Sequence, residues 1–588
     1  MIYPAIRDQN WGTVPGIISG EEIEEGEDFF SVRYDGRYTS GDLAYQTSVH
    51  IRGNRDNTLI FSMKGKALST FKKNRIGLNI LHPIRECAGK KCQVETPEGE
   101  AYLAVFPRFV SPLQPMKNIC SLAWTLEGEI SASILFSGEV FEMEDQRNWT
   151  DASYKTYCTP LEMPFPVSVE RGETMAQEVC LKVELPAITQ RFKNANQVMV
   201  PNQQNLAEFP ALGIYRSTDI HELFQKDLEL IRNCGFDHYR FDLHLYRDGW
   251  KETLREGLKE AAEMGLKPEL GLFFGEEYSG QLEYFLAEMS KYQIKLVRFL
   301  VFNREHIHDD VLSAAALPVL KQVYGGSEAG TGTNANFAEL NRQRPGQDLH
   351  DFLAWSVNPQ VHSFDPLSLV ENLPGQGNTV ISAHSFSGGK PVTISPVTLR
   401  PRFNAVTLDP EEEEIRSDGF PDRFDPRQVS LFCAGWTLGS IKYLAESGAG
   451  SITYYETVGR GGIIPGQSPP SSLDPTPVYR SDLYPVYFLF RELLKFKEYR
   501  VRVTESSYPL QFSSLLLEGK NEQILVLANH TSSRQKIQFP KGIKMRPVWV
   551  LDEDTIRLLR TGKDPGQTAA PASDISLNPY AVTFFKKS

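Results

Sequence analysis

Leu212-Gly213-Ile214-Tyr215-Arg216 is followed, after a short polar gap, by His221-Glu222-Leu223-Phe224-Gln225-Lys226-Asp227-Leu228-Glu229-Leu230-Ile231-Arg232-Asn233-Cys234-Gly235 and then by His238-Tyr239-Arg240-Phe241-Asp242-Leu243-His244-Leu245. The first and third pieces are short, apolar and rich in residues that suit strands. The second is an amphipathic helix stopped by a glycine. The same alternation continues to about residue 497. Strands are predicted at 269–274, 294–302, near 327–334, and at 353–359, 392–399 and 452–455. Helices are predicted at 250–264, 281–292, 311–323, 428–446 and 485–495. Eight strand–helix units at this spacing predict a closed parallel (β/α)8 TIM barrel over 205–497. An open doubly wound sheet is the alternative, but no glycine-rich phosphate fingerprint follows its first strand.

Outside the barrel the pattern changes. Residues 1–195 carry short alternating or β-branched runs separated by Gly, Pro and Asn, which predicts an N-terminal β-sandwich. An Asn- and Gln-rich passage at 190–204 reads as the way into the barrel, and the acidic run 411–414 as a solvated loop. From 498 to 588 helices vanish and four strand patterns predict a small C-terminal β-sandwich.

Bulk properties narrow the function classes. The chain has 588 residues, too many for one core. A net charge of −12 argues against nucleic-acid binding, which needs a basic footprint. No apolar run approaches the ~20 residues of a membrane span, and the first residues lack a signal pattern. The seven cysteines are scattered without ligand spacing, which suits free thiols in a reducing cytoplasm. The aromatic share of 11% fits sugar-binding walls, and fits core and sheet packing better still. The expected partner is a small molecule rather than nucleic acid or membrane, and the chain is compatible with a homo-oligomer.

Barrels place their chemistry at the C-terminal ends of the strands. That rule picks out Arg216, Asp242, His244, Asn303, Glu305, Asn334, Asn336, Glu339, Asn358, His362, Arg400, Arg402 and Glu456. Crowded carboxylates shift one another's pKa and suit acid–base work, so Glu305, Glu339 and Glu456 are the catalytic candidates, with His362 as a further acid. The Asn and Arg residues and Asp242 suit hydroxyls and a developing oxyanion. His306 and His308 beside Asp309 and Asp310 hint at a metal, but no ligand spacing completes a site. No Gly-x-Ser-x-Gly elbow points to a serine nucleophile. No cofactor is expected.

The stretch Phe141-Glu142-Met143-Glu144-Asp145-Gln146-Arg147-Asn148-Trp149-Thr150-Asp151-Ala152-Ser153-Tyr154-Lys155-Thr156-Tyr157-Cys158 resembles the D-apionate lactonase family. So do 332–342, 357–365, 391–403 and 454–459, so the resemblance runs almost the length of the chain. It implies a carboxylic-ester hydrolase that opens D-apionolactone to D-apionate in apiose use. It assigns no catalytic residue, so the candidates above rest on the barrel rule. The 141–158 run is too polar for a plain sandwich strand and reads either as a loop that brings Arg147, Trp149 or Lys155 to substrate or as a salt-bridged domain interface.

Two other readings compete. Retaining glycosidases on this barrel resemble one another in an Asn-Glu pair after strand four and a Glu after strand seven. Here Arg304 separates Asn303 from Glu305, strand seven offers no Glu, and Glu456 falls on strand eight. A sugar-binding protein with a decayed barrel would not be expected to keep three glutamates at the mouth. Because no ligand cluster has accepted spacing, activity should survive EDTA. Loss on chelation with rescue by one divalent ion would contradict this.

Overall fold

The computed structural model describes residues 1–186, 197–200, 206–218, 223–403, 422–466, 482–539, 542–563 and 570–587. The polar passage at 190–204 therefore lies almost wholly outside the described residues, and the acidic run 411–414 entirely so. Two compact units form: Met1–Arg147 with Ala152–Phe192, and Asn148–Asp151 with Lys193–Ser588.

The first unit is a sandwich of a six-stranded and a nine-stranded antiparallel sheet. Strands such as Thr58–Ala67 and Ser131–Ser137 alternate buried and exposed positions. Their inward residues, among them Phe61, Met63, Ile134 and Phe136, pack on Leu78, Ile80, Phe141 and Met143 of the other sheet.

The second unit contains the barrel. Its strands are β1 (Ala211–Tyr215), β2 (His238–His244), β3 (Lys267–Phe274), β4 (Arg298–Asn303), β5 (Glu328–Gly332), β6 (Leu353–Val357), β7 (Val392–Val397) and β8 (Ser451–Val458). Each pairs in parallel with the next, and β8 pairs in parallel with β1, which closes the ring. The helices are α1 (Gln225–Cys234), α2 (Trp250–Met264), α3 (Tyr278–Met289), α4 (Asp310–Val323), α5 (Phe337–Arg342), α6 (Pro366–Glu371), α7 (Leu373–His384), α8 (Leu431–Glu446) and α9 (Pro485–Leu493). Gly235 and Gly265 stop α1 and α2 in the left-handed conformation that glycine adopts freely.

Helices α5, α6 and α7 were not expected. The Leu373-Pro374-Gly375-Gln376-Gly377 start of α7 lacks a helical signature, and the helix is buried on most of its surface. A Cβ at Gly377 would sit 2.9 Å from the Tyr443 carbonyl oxygen, so glycine here serves close packing.

Five strands after the barrel and Ala207–Glu208 before it form a six-stranded antiparallel sheet, and Gln535–Gln538 pairs with Asp574–Leu577 beside it. Phe512, Leu527 and Phe585 pack on Ile537 and Leu577 between them. Ala207–Glu208, just before the barrel, pairs with Arg500–Arg502, just after it, so the chain's entry and exit are zipped together. The short helix Thr555–Arg560 corrects the expectation that helices end at 496.

Barrel interiors are usually filled by branched apolar side chains. Here one side is apolar, with Phe273, Leu300, Phe302, Phe352 and Ala354 in contact. The other carries charge. Ser395 Oγ donates to Glu269 Oε1 at 2.6 Å, and Arg298 lies 3.5 Å from Glu269 Oε2. Burial alone would raise the Glu269 carboxyl, but His238, Arg298 and Arg240 outweigh it and the net shift is downward. Burial drives His238 down to about 4, so it is neutral imidazole at pH 7. Above this layer Arg240, fully buried, donates to Asp242 Oδ1 at 2.9 Å.

Removing one partner of a buried ion pair strands the other charge in low dielectric, at a cost of about 3–5 kcal/mol. Glu269→Leu should therefore destabilise the barrel by that order in urea unfolding. Arg55→Ala, which breaks an exposed pair with Asp28, should cost under about 1 kcal/mol. Equal costs would show that the column is not electrostatically coupled.

Candidate active site

Strand parity decides what reaches the mouth. Side chains at i and i+2 share a face, so His238, Arg240, Asp242 and His244 of β2 all point inward. β1 ends at Tyr215, which faces in. Arg216 faces out and binds Glu256 at 2.9 Å and Glu260 at 2.8 Å on α2. That corrects the expectation that Arg216 reaches substrate, because one residue along a strand reverses the face.

A cavity of about 230 Å³ opens among the C-terminal strand ends. Asp242, His244, Asn334, Arg400, Arg402 and Glu456, all singled out from the sequence, line it, together with Tyr215, Thr218, His306 and Phe403. Glu456 owes its place to an irregularity. The β1–β8 register shifts between Ile214–Tyr454 and Tyr215–Glu456, and Tyr455 takes φ +44°. Such a bulge re-aims the next side chain, and a non-glycine residue in this region is strained. Glu456 is buried and accepts from Thr218 Oγ1 at 2.6 Å and from the Thr218 amide at 3.1 Å. A Cβ at Gly461 would lie 3.3 Å from the Glu456 carboxyl carbon, so glycine leaves that carboxyl its room.

Two guanidinium groups converge on Asn334. Its side-chain oxygen accepts from Arg240 Nη2 and from Arg402 Nη2, each at 2.6 Å. Asp242 lies 3.8 Å from Arg402 and accepts from the Tyr215 hydroxyl at 3.0 Å. Burial would raise the Asp242 carboxyl, but the two guanidinium groups pull it below its ordinary value. The Asn334 side-chain nitrogen is 3.2 Å from His306 Nδ1, which makes that ring nitrogen the acceptor. Burial, with His244 and Arg402 nearby, holds His306 down to about 3. His244 is likewise lowered by burial, against a smaller upward pull from Asp242. The two rings, with Phe273 and Phe403, form a neutral aromatic wall: His244 stacks on Phe273 at 4.6 Å and His306 packs on Phe403 at 4.6 Å.

The remaining candidates sit elsewhere. Glu305 is exposed in the turn after β4 and does not line the cavity. Asn303 closes that turn by accepting from the Ile307 amide at 3.0 Å. Glu339 lies in the first turn of α5, where its carboxyl accepts from the Asn336 amide, and burial raises its pKa. Asn336 accepts from Asn358 at 3.2 Å. His362 is bound to Asp151 at 2.5 Å, and Trp149 packs edge-on to it with Arg342 5.0 Å from the indole. Arg147 is fully buried within the first unit, where it holds Asp145 at 2.7 Å and the Pro107 carbonyl at 2.8 Å. None of these lines the cavity. His308 is buried and Asp309 caps α4 through the Leu312 amide. Among the described residues no three His, Cys, Asp or Glu side chains are grouped to hold a metal ion, and no helix is long and apolar enough to cross a membrane. All seven cysteines are free thiols.

Tyr215, Thr218, Arg423 and Asp425 were not among the candidates. Parity on β1 would have found Tyr215. The Arg400-Pro401-Arg402 spacing offered Arg402 as well as Arg400.

Three domain families match in chain order. They are the N-terminal domain of D-apionate lactonase over residues 1–186, its TIM barrel domain over 212–498 and its C-terminal immunoglobulin-like domain over 509–585. A D-apionate lactonase of Brucella anthropi is 26% identical over 494 residues, covering 79% of each chain. Among solved structures, a GH30 endoxylanase from Clostridium papyrosolvens shares 11% identity at a TM-score of 0.43, over 67% of this chain and all of that one. A beta-arabinopyranosidase shares 9% identity at a TM-score of 0.34, over 99% of this chain and 93% of that one. Likeness at those scores decides nothing, and the barrel rests on its own strand pairing. With matched domains spanning most of its length, the chain belongs to the D-apionate lactonase family.

Proposed function

We propose that the barrel mouth hydrolyses the ester bond of a sugar-acid lactone, D-apionolactone to D-apionate, as a step in apiose catabolism. Family membership supports the reaction class. The observation that carries the site is one cavity lined by both the Glu456 carboxylate and the Arg402 guanidinium.

Lactone opening needs a base for water, donors for an oxyanion and a proton for the leaving ring oxygen. Glu456 takes a proton as water adds to the lactone carbonyl carbon. Negative charge moves to the carbonyl oxygen, where Arg402 stabilises it. Arg402 is already held by Asn334, so little reorganisation accompanies the step. The intermediate collapses, the bond from carbonyl carbon to ring oxygen breaks, and Glu456 returns the proton to that oxygen. The new carboxylic acid then releases its proton to solvent, and the carboxylate is left beside Arg402. Neutral His244 and His306 and the Phe403 ring offer hydroxyl donors and an apolar face to the sugar.

A retaining glycosidase is the second reading, because Asp242 and Glu456 both line the cavity. That chemistry needs one carboxyl raised in pKa to act as acid. Asp242 is pulled the other way by Arg240 and Arg402, which leaves only Glu456 for that acid, and the family match favours the lactone instead.

The enzyme should release acid from D-apionolactone, followed with a pH indicator, and should not release nitrophenol from aryl glycosides. Glu456→Gln should lower kcat by about 10²–10⁴-fold, and Arg402→Met by about 10²–10³-fold. Glu305→Gln should leave turnover unchanged. Glycoside cleavage, or normal turnover in Glu456→Gln, would sink the assignment.

A further inference from the structure

Residues Asn148–Asp151 belong to the barrel unit although the chain on both sides of them belongs to the N-terminal one. All but the half-buried Trp149 are buried, and they are bound to barrel groups. Asn148 Oδ1 accepts from Asn341 Nδ2 at 3.0 Å, and Thr150 Oγ1 donates to the Asn358 carbonyl at 2.6 Å. Asp151 holds His362 Nδ1 at 2.5 Å with one oxygen and accepts from Asn372 Nδ2 at 3.1 Å with the other. Asn372 also donates to the Pro359 carbonyl at 3.0 Å.

The backbone is forced to make these contacts. Thr150 takes φ +67°, an outlier for a β-branched residue. Strain of this kind persists only where the surroundings over-determine it, and it clusters at functional sites. The barrel accommodates the segment with a glycine: a Cβ on Gly375 would lie 2.3 Å from the Thr150 carbonyl oxygen.

All of these bonds but the one to Asn341 bear on a single element, the loop 358–365 after β6, directly or through Asn372 and Gly375 at the start of α7. That loop flanks the cavity. Gln360 Nε2 donates to Asp425 Oδ2 at 2.6 Å and to the Leu399 carbonyl at 2.7 Å. The Phe364 ring lies 4.8 Å from the Arg400 guanidinium. Leu399, Arg400 and Asp425 all line the cavity, whereas His362 does not.

We infer that Asn148–Asp151 is a positioning clip for the barrel's active site, with Asp151 acting through His362 to hold the loop that sets Arg400 and Asp425. The clip belongs to the ligand-binding side of the site, away from Glu456. Asp151 works through hydrogen bonds, so an amide can replace it, its oxygen accepting from Asn372 and its nitrogen donating to His362 Nδ1 in the other ring tautomer. The inference about turnover rests on the lactonase reading. The effect on the loop does not.

The test compares Asp151→Ala and Asp151→Asn with the full-length wild type. Displacement of groups near a reacting centre can cost about 10²-fold. Asp151→Ala should lower kcat/KM for the lactone by about tenfold to a hundredfold, mostly through KM, with the folded fraction unchanged. Asp151→Asn should stay within about threefold of wild type. Hydrogen exchange read by mass spectrometry should quicken in Asp151→Ala at 358–365 and 398–402 only, and not in Asp151→Asn. Unchanged exchange in Asp151→Ala overturns the clip, whether or not the wild type cleaves the lactone. Equal loss in both variants overturns the hydrogen-bonding role and marks the charge as what matters. If the wild type is inactive on every sugar lactone but exchange behaves as stated, the clip stands and the lactonase reading falls.

Discussion

Tyr215 lies in register opposite Glu456 because β1 and β8, far apart in the chain, pair in parallel. Everything at the mouth follows from that closure. Tyr215 binds Asp242 on β2, Asp242 binds Arg240, and Arg240 shares the Asn334 oxygen with Arg402. An open sheet would leave the first and last of these groups on opposite edges. The closed ring makes them neighbours, and the bulge at Tyr455 turns the last carboxylate into the space they surround.

Electrostatics then decides which groups can do chemistry. Two guanidinium groups on one amide oxygen is an unfavourable arrangement unless anions compensate it. Asp242 provides that compensation from inside the protein, which removes it as a proton donor. Glu456 accepts from the hydroxyl and the amide of Thr218. In the proposed mechanism Asp242 neutralises the guanidinium pair and Glu456 carries the proton. A transition state that develops negative charge fits the cationic side, and donors fixed before the reaction stabilise it without reorganising. The histidines stay neutral, so they add hydrogen bonds and ring surface but no competing charge.

Much of the barrel was legible because its helices α1 to α4 are amphipathic and two of them end in glycine. The helices after β5 and β6 were not, since α5 is short and α7 starts with Pro and two glycines and buries nearly every side. The site was legible where strand parity is regular, as at Asp242, and at strand ends such as Glu456, Asn334 and Arg400. It failed at Arg216 by one residue, enough to turn a side chain from mouth to exterior. Glu339 looked catalytic from its position after a strand, but three residues beyond Asn336 it serves its own helix start. Arg147 and Lys155 looked too polar for a sandwich strand. They are buried because Asp145 and Glu144 pair with them, a compensation that local polarity does not reveal. No local pattern showed that Asn148–Asp151 would leave one unit for the other, since that depends on Gly375 and the β6 loop, over 200 residues away.

The central claim is that Arg402 and Glu456 act on one lactone in one cavity. A crystal structure with D-apionate bound tests it most directly. The account predicts the product carboxylate within hydrogen-bond distance of Arg402, with the hydroxyl released from the ring turned toward Glu456. D-apionate bound outside this cavity, or with its carboxylate turned away from Arg402, would contradict it.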